Sequence, residues 1–80
     1  MRYGAETKLQ TSEVLDRAAE YFGQGGLGLE LTSRDDCCVS LVGGGGHVTV
    51  TVTEGEKTTV DLETREWDYH VKKFMAEQLE

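Results

Sequence analysis

Eighty residues with 15 acidic against 8 basic side chains give a net charge of −7 and a pI near 4.7. A chain this short makes one domain, residues 1–80, with a small core, and its 38% apolar and 29% charged content is that of a globular chain rather than a disordered one. The basic residues are scattered, with only Lys72 and Lys73 adjoining, and no apolar run approaches the ~20 residues of a membrane span; nucleic acid and membranes are therefore excluded as expected partners.

The N-terminal MRYGAETKLQ carries no hydrophobic segment of the secretory kind, so a cytoplasmic location is expected. Residues 1–6 read as a loose lead-in, and Thr7 to Gln10 as either a short strand or more lead-in. Then TSEVLDRAAEYFGQGG places Val14, Leu15, Ala18 and Phe22 at helical spacing, with Glu13, Asp16, Arg17 and Glu20 opposite. Thr11 or Ser12 is the expected cap and Gly23 the stop.

From Leu27 the period becomes two. Leu27, Leu29 and Leu31 alternate with Gly28, Glu30 and Thr32; Cys37 to Val42 follow; Val48, Val50 and Val52 alternate with threonines; Val60 and Leu62 sit between Thr59, Asp61 and Glu63. Each is a half-buried strand. A second helix is expected over about Arg65 to Gln78, capped by Thr64, with Trp67, Val71, Phe74 and Gln78 on one stripe. The terminal Leu79-Glu80 matches the scar that precedes an expression tag.

Loop parity fixes the faces. A two- or four-residue turn at Gly43 to Gly46 sets Val42 against His47, so that Leu41 faces Val48, Val39 faces Val50 and Cys37 faces Val52. The TEGEK turn needs an odd loop to bring Val60 and Leu62 onto the same face; a three-residue loop with Gly55 left-handed meets this. The expectation is a two-layer α+β fold, α-β-β-β-β-α. It comprises a four-stranded antiparallel meander with two helices on one face, an extra N-terminal strand remaining open.

Within DDCCVSLVGGGGHVTV several sites suggest themselves and fail. A phosphate loop needs a helix and normally a Lys after the glycines, and here a strand follows. Four glycines also exceed what a tight turn requires, so a loose tip is expected. Adjacent strand residues point to opposite faces; Cys37 is therefore expected in the core and Cys38 outside, unbonded to each other. His47 lies about 13 Å along the strand from Cys38, too far to share an ion. No serine has a positioned His–Asp pair, His70 reads as a helix-surface residue, and the acidic side chains show no calcium-loop spacing. The aromatics Tyr21, Phe22, Trp67, Tyr69 and Phe74 read as core. No catalytic, metal or cofactor residue is assigned.

What remains is the outer face of the sheet: Cys38, Ser40, Val42, His47, Thr49 and Thr51, a semi-apolar, Thr-rich surface suited to a protein partner or a second copy.

The segments LGLEL, DDCCV, GGGGHVTVTV and LETREWDYHVKKF, in that order over Thr11 to Phe74, resemble a family of small bacterial α+β proteins of unknown function. The resemblance implies no site residue. A sheet gripped by a C-terminal helix is also similar in architecture to the helix-grip (START and polyketide-cyclase-like) fold, at about half its usual length. Two functions are carried forward: a non-enzymatic interaction module acting through the polar sheet face or a sheet edge, and a small-molecule binder or minimal enzyme with a pocket between helices and sheet near Trp67.

Overall fold

The structure, a computed structural model, describes residues 1–79. The chain runs β1 (Arg2–Thr7), α1 (Thr11–Phe22), β2 (Glu30–Arg34), β3 (Cys38–Gly43), β4 (Gly46–Thr53), β5 (Thr58–Arg65) and α2 (Asp68–Gln78). The five strands form one antiparallel sheet in the order β1-β5-β4-β3-β2. The α+β class, the meander from β2 to β5 and the two helices agree with the sequence reading.

The register follows the parity argument. Val42 faces His47, Leu41 faces Val48 and Val39 faces Val50, around a two-residue turn in which Gly44 and Gly45 both have positive φ (58° and 81°). That pair of left-handed residues matches the right-handed twist of the flanking strands. Between the paired Thr53 and Thr59 the loop is odd, as required, and brings Val60 opposite Val52 and Leu62 opposite Val50. It is longer than expected, and Gly55 is not left-handed.

One sheet face is thus lined by Val39, Leu41, Val48, Val50, Val52, Val60 and Leu62, all buried. Helix α1 packs over β3 and β4, and α2 over β5, covering that face with Val14, Leu15, Ala18, Phe22, Val71 and Phe74. Tyr21, Phe22 and Phe74 meet ring to ring, with centroids 5.1 to 5.3 Å apart. Burying each phenylalanine stabilises the fold by about 2 kcal/mol, and the cluster fills the space between the helices.

Several expectations are corrected. The N-terminal strand is Arg2–Thr7, so residues 1–6 are not a loose lead-in: Tyr3, Ala5 and Thr7 pair with Leu62, Val60 and Thr58. The first strand of the meander starts at Glu30 rather than Leu27, because the chain loops back through Gly26 and Gly28 (φ 85°). Leu29 is buried, but Leu31 is 48% exposed, since β2 lies beyond the margin of the helices. Strand β5 continues through Thr64 and Arg65, which pair with Val48 and His47. Thr64 is consequently buried, its hydroxyl donating to His47 O at 2.8 Å; it is no helix cap, and α2 begins at Asp68 after Glu66 turns the chain with φ 76°. Leu79 is 4% exposed and packs into the core, which does not bear on the expected tag scar; Glu80 lies outside the described residues.

The glycine tip, expected to be loose, is docked. Trp67 Nε1 donates to Gly43 O at 2.9 Å, and a Cβ on Gly44 would lie 2.9 Å from Trp67 Cζ2. A Cβ on Gly46 would collide with Arg65 O. The surplus of glycines reflects close approach of ring and backbone rather than slack.

Candidate functional site

With both helices on one face, the other face of the sheet is uncovered. Along β3 the alternation that buries Val39 and Leu41 turns Cys38, Ser40 and Val42 outward; along β4 it turns His47, Thr49 and Thr51 outward. These residues are direct opposites in the ladder: Cys38 with Thr51, Ser40 with Thr49 and Val42 with His47. The six candidate residues of the sequence therefore form one contiguous patch. Ser40 Oγ and Thr49 Oγ1 lie 3.5 Å apart. Val42 is 38% exposed, and its side chain together with the threonine methyls makes the patch semi-apolar. His47 Nε2 reaches toward Glu63 at 3.7 Å, on the neighbouring strand.

The patch is flanked on one side by charge. Asp61 and Glu63 of β5 share this face, and Arg2 of β1 reaches across to Asp61, with Nη2 2.6 Å from Oδ2 and Nε 3.0 Å from the same oxygen. This hydrogen bonding from Arg2 holds the Asp61 carboxyl below its ordinary value.

On the β2 side the patch ends at the turn Asp35–Cys38, and here the structure departs from expectation. Cys37 is exposed rather than buried, and it is joined to Cys38 in a vicinal disulfide. The two residues straddle the start of β3, so the pleat does not separate their side chains as it would within a strand. Cys37 keeps the expected backbone partner, its carbonyl accepting from Val52 N at 2.8 Å, but its side chain is free of the sheet. The turn is organised by Asp35: Oδ1 accepts from Cys37 N at 3.0 Å and Cys38 N at 3.1 Å, an Asx-type arrangement. Cys37 Sγ lies 3.1 Å from the same oxygen. Asp35, Cys37 and Cys38 are the one group of three potential metal-donor side chains among the described residues. With both sulfurs in a disulfide, neither is the thiolate a metal requires.

His70 is half-buried on α2, its ring 5.4 Å from Trp67 and 5.1 Å from Tyr69. Trp67 itself is occupied by the glycine hairpin. Sequence reasoning missed both Asp35 and the ring-on-hairpin contact. The Asp-x-Cys spacing was a legible turn signal; the Trp67 contact joins residues too distant in the chain to leave one.

Comparisons with protein-family models, with curated proteins and with solved structures found no match, so the site stands on the geometry of this chain. No helix among the described residues is long and apolar enough to cross a membrane.

Proposed function

We propose that this protein is a non-enzymatic interaction module that uses its uncovered sheet face, or an edge of the same sheet, to hold a protein partner. The observation that supports this most is the contiguous patch of Cys38, Ser40, Val42, His47, Thr49 and Thr51 on a face no helix covers. Threonine methyls and Val42 supply apolar contact area, and hydroxyls supply hydrogen bonds at the margins, the mixture found in transient interfaces. Neither nucleic acid nor a membrane fits the excess of acidic side chains.

Light scattering over a concentration series, paired with affinity capture using the native chain and a Thr49→Arg variant, tests this reading. Association that Thr49→Arg abolishes while thermal stability is retained supports the face; association indifferent to it shifts the reading to an edge. A chain that stays monomeric and captures nothing in either form overturns the interaction module.

A second reading, a small-molecule binder or minimal enzyme, is favoured by a groove of about 420 Å³ where the helices meet, lined by Arg17, Tyr21, Leu27, Lys73 and Glu77. It lies away from Trp67, the position expected for such a pocket. Thermal stabilisation by a member of a metabolite library, lost in Lys73→Ala, would favour it over the interaction module.

A further inference from the structure

We propose that β1 is a self-complementary edge through which two copies of this chain join into one ten-stranded sheet. This deepens the interaction reading above and rests on it, naming the partner as a second copy and the surface as an edge.

The backbone hydrogen bonds between β1 and β5 determine which groups of β1 remain free. Met1 and Thr64 exchange both backbone hydrogen bonds, Thr64 N to Met1 O at 2.9 Å and Met1 N to Thr64 O at 2.7 Å. In an antiparallel ladder such pairs alternate with non-bonded ones. Tyr3, Ala5 and Thr7, opposite Leu62, Val60 and Thr58, are therefore the residues of β1 whose amides and carbonyls turn toward β5. Arg2, Gly4 and Glu6 turn theirs away from the sheet, at the end of the strand order.

A two-fold axis normal to the sheet beside Gly4 brings these free groups together. Gly4 then opposes Gly4 of the second copy, and Arg2 opposes its Glu6, with the reciprocal pair on the other side. Each of the three opposed pairs is of the bonded type, so every outward amide and carbonyl of Arg2, Gly4 and Glu6 finds a partner. Arg2 and Glu6 lie on the same, uncovered face as Asp61, and their charges are complementary across the axis. Arg2 reaches Asp61 through Nε and Nη2, leaving Nη1 for the Glu6 of the second copy. On the covered face Tyr3 would meet Ala5 of the second copy, continuing the apolar layer. Gly4 itself has nothing within 4 Å of where a Cβ would stand, so no contact inside this chain demands glycine there.

The other edge is built against pairing. Strand β2 is interrupted between Leu31 and Ser33, and Thr32 turns its hydroxyl back onto Ser40 O. Arg34 is held by Asp16 of α1. A bulge of this kind protects an edge, whereas β1 is regular over six residues and carries neither bulge nor proline.

The test is sedimentation equilibrium or light scattering of the full chain up to about 1 mM, the weak end of specific association. Gly4→Pro removes an amide that points to solvent in the single copy, where proline is tolerated in an edge strand. The expected result is an unchanged melting profile at low concentration with a dissociation constant raised at least about tenfold, from two lost hydrogen bonds. Arg2→Glu alone and Glu6→Arg alone are each expected to weaken self-association, while an equimolar mixture of the two forms a heterodimer, because opposite charges again face each other. A native chain that is monomeric throughout overturns the proposal. So does a dimer indifferent to Gly4→Pro; if that dimer is broken by Thr49→Arg, the interaction reading survives and the edge assignment alone fails.

Discussion

Trp67 is fastened over the β3–β4 hairpin: its indole nitrogen donates to Gly43 O at 2.9 Å while its ring occupies the space a side chain on Gly44 would need. This contact couples the entry of α2 to the tip of the central hairpin. It also separates two glycines that look equivalent in the sequence. Gly44 and Gly45 both have positive φ, which asparagine tolerates better than other residues. Only Gly44 faces the ring. Gly44→Asn is therefore expected to cost at least about 1 kcal/mol more than Gly45→Asn, the cost of overpacking against a fixed aromatic. Trp67→Phe, which leaves Gly43 O without its donor, is expected to cost about 1 kcal/mol for the hydrogen bond alone. Urea denaturation of the three variants checks the order, and equal costs at the two glycines would show that the ring is not seated there.

The other end of the same connection holds a residue in an unfavourable conformation. Glu66 has φ 76°, where a non-glycine residue is disfavoured by about 1–2 kcal/mol. Glu66→Gly relieves that, against an entropic cost of about 0.4–1 kcal/mol in the unfolded chain. The net expectation is a stabilisation of up to about 1.5 kcal/mol, read as a higher urea midpoint with an unchanged slope. A lower midpoint would mean that the Glu66 side chain contributes more to the turn than its backbone costs.

How far the sequence reaches can be judged residue by residue. The register Val39–Val50 and Leu41–Val48 was legible because period-two alternation and loop parity are local and leave one solution. The placement of β1 was not: RYGAET is short, and its alternation of Tyr3, Ala5 and Thr7 with Arg2, Gly4 and Glu6 is too weak to stand out until β5 supplies the partner. The boundary between β5 and α2 shifted by three residues because pairing of Thr64 with Val48 overrode its aptitude as a cap. The contiguity of the outer patch was legible from the same parity. The cysteine pair was misjudged because the alternation rule was applied to Cys37, which lies one residue before the strand.

A crosslink between adjacent residues closes no length of chain, so the entropic stabilisation a disulfide normally provides is close to absent. Asp35 Oδ1, by contrast, accepts from two backbone amides. Reduction of Cys37–Cys38, seen as a gain of about 2 Da (two hydrogens) in intact mass, is expected to lower stability by less than Asp35→Ala, which forfeits about 1 kcal/mol or more. In the reduced chain the Cys37 thiol has Asp35 Oδ1 as a ready acceptor at its present 3.1 Å. Thermal melts with and without a dithiol reductant, on the native chain and Asp35→Ala, give the comparison; a larger loss on reduction would assign the turn's stability to the disulfide.

Strand β1 carries two side-chain ties whose contribution to stability depends on pH. Arg2 donates to Asp61, and this hydrogen bonding holds the Asp61 carboxyl below the ordinary value of 3.8. A folded value below the unfolded one means that the stabilisation is fully present above about pH 4 and is lost as pH falls through the folded value. The Tyr3 hydroxyl donates to Asp68 Oδ2 at 2.8 Å, and that bond, with a smaller contribution from burial, raises the phenol above 10.0. Here the folded value exceeds the unfolded one, so the stabilisation is complete below about pH 10 and disappears as pH rises through the folded value. The two ties act on different partners, Asp61 on β5 and Asp68 on α2, and are expected to fail independently. Arg2→Gln should return Asp61 toward its ordinary value and remove the acid-side loss of amide protection in β1, leaving the alkaline side intact. Tyr3→Phe should do the reverse. Amide hydrogen exchange of β1 at fixed pH steps, with the Asp61 carboxyl followed by NMR, distinguishes them, and an acid limb unchanged in Arg2→Gln would rule out the Arg2–Asp61 tie as its cause.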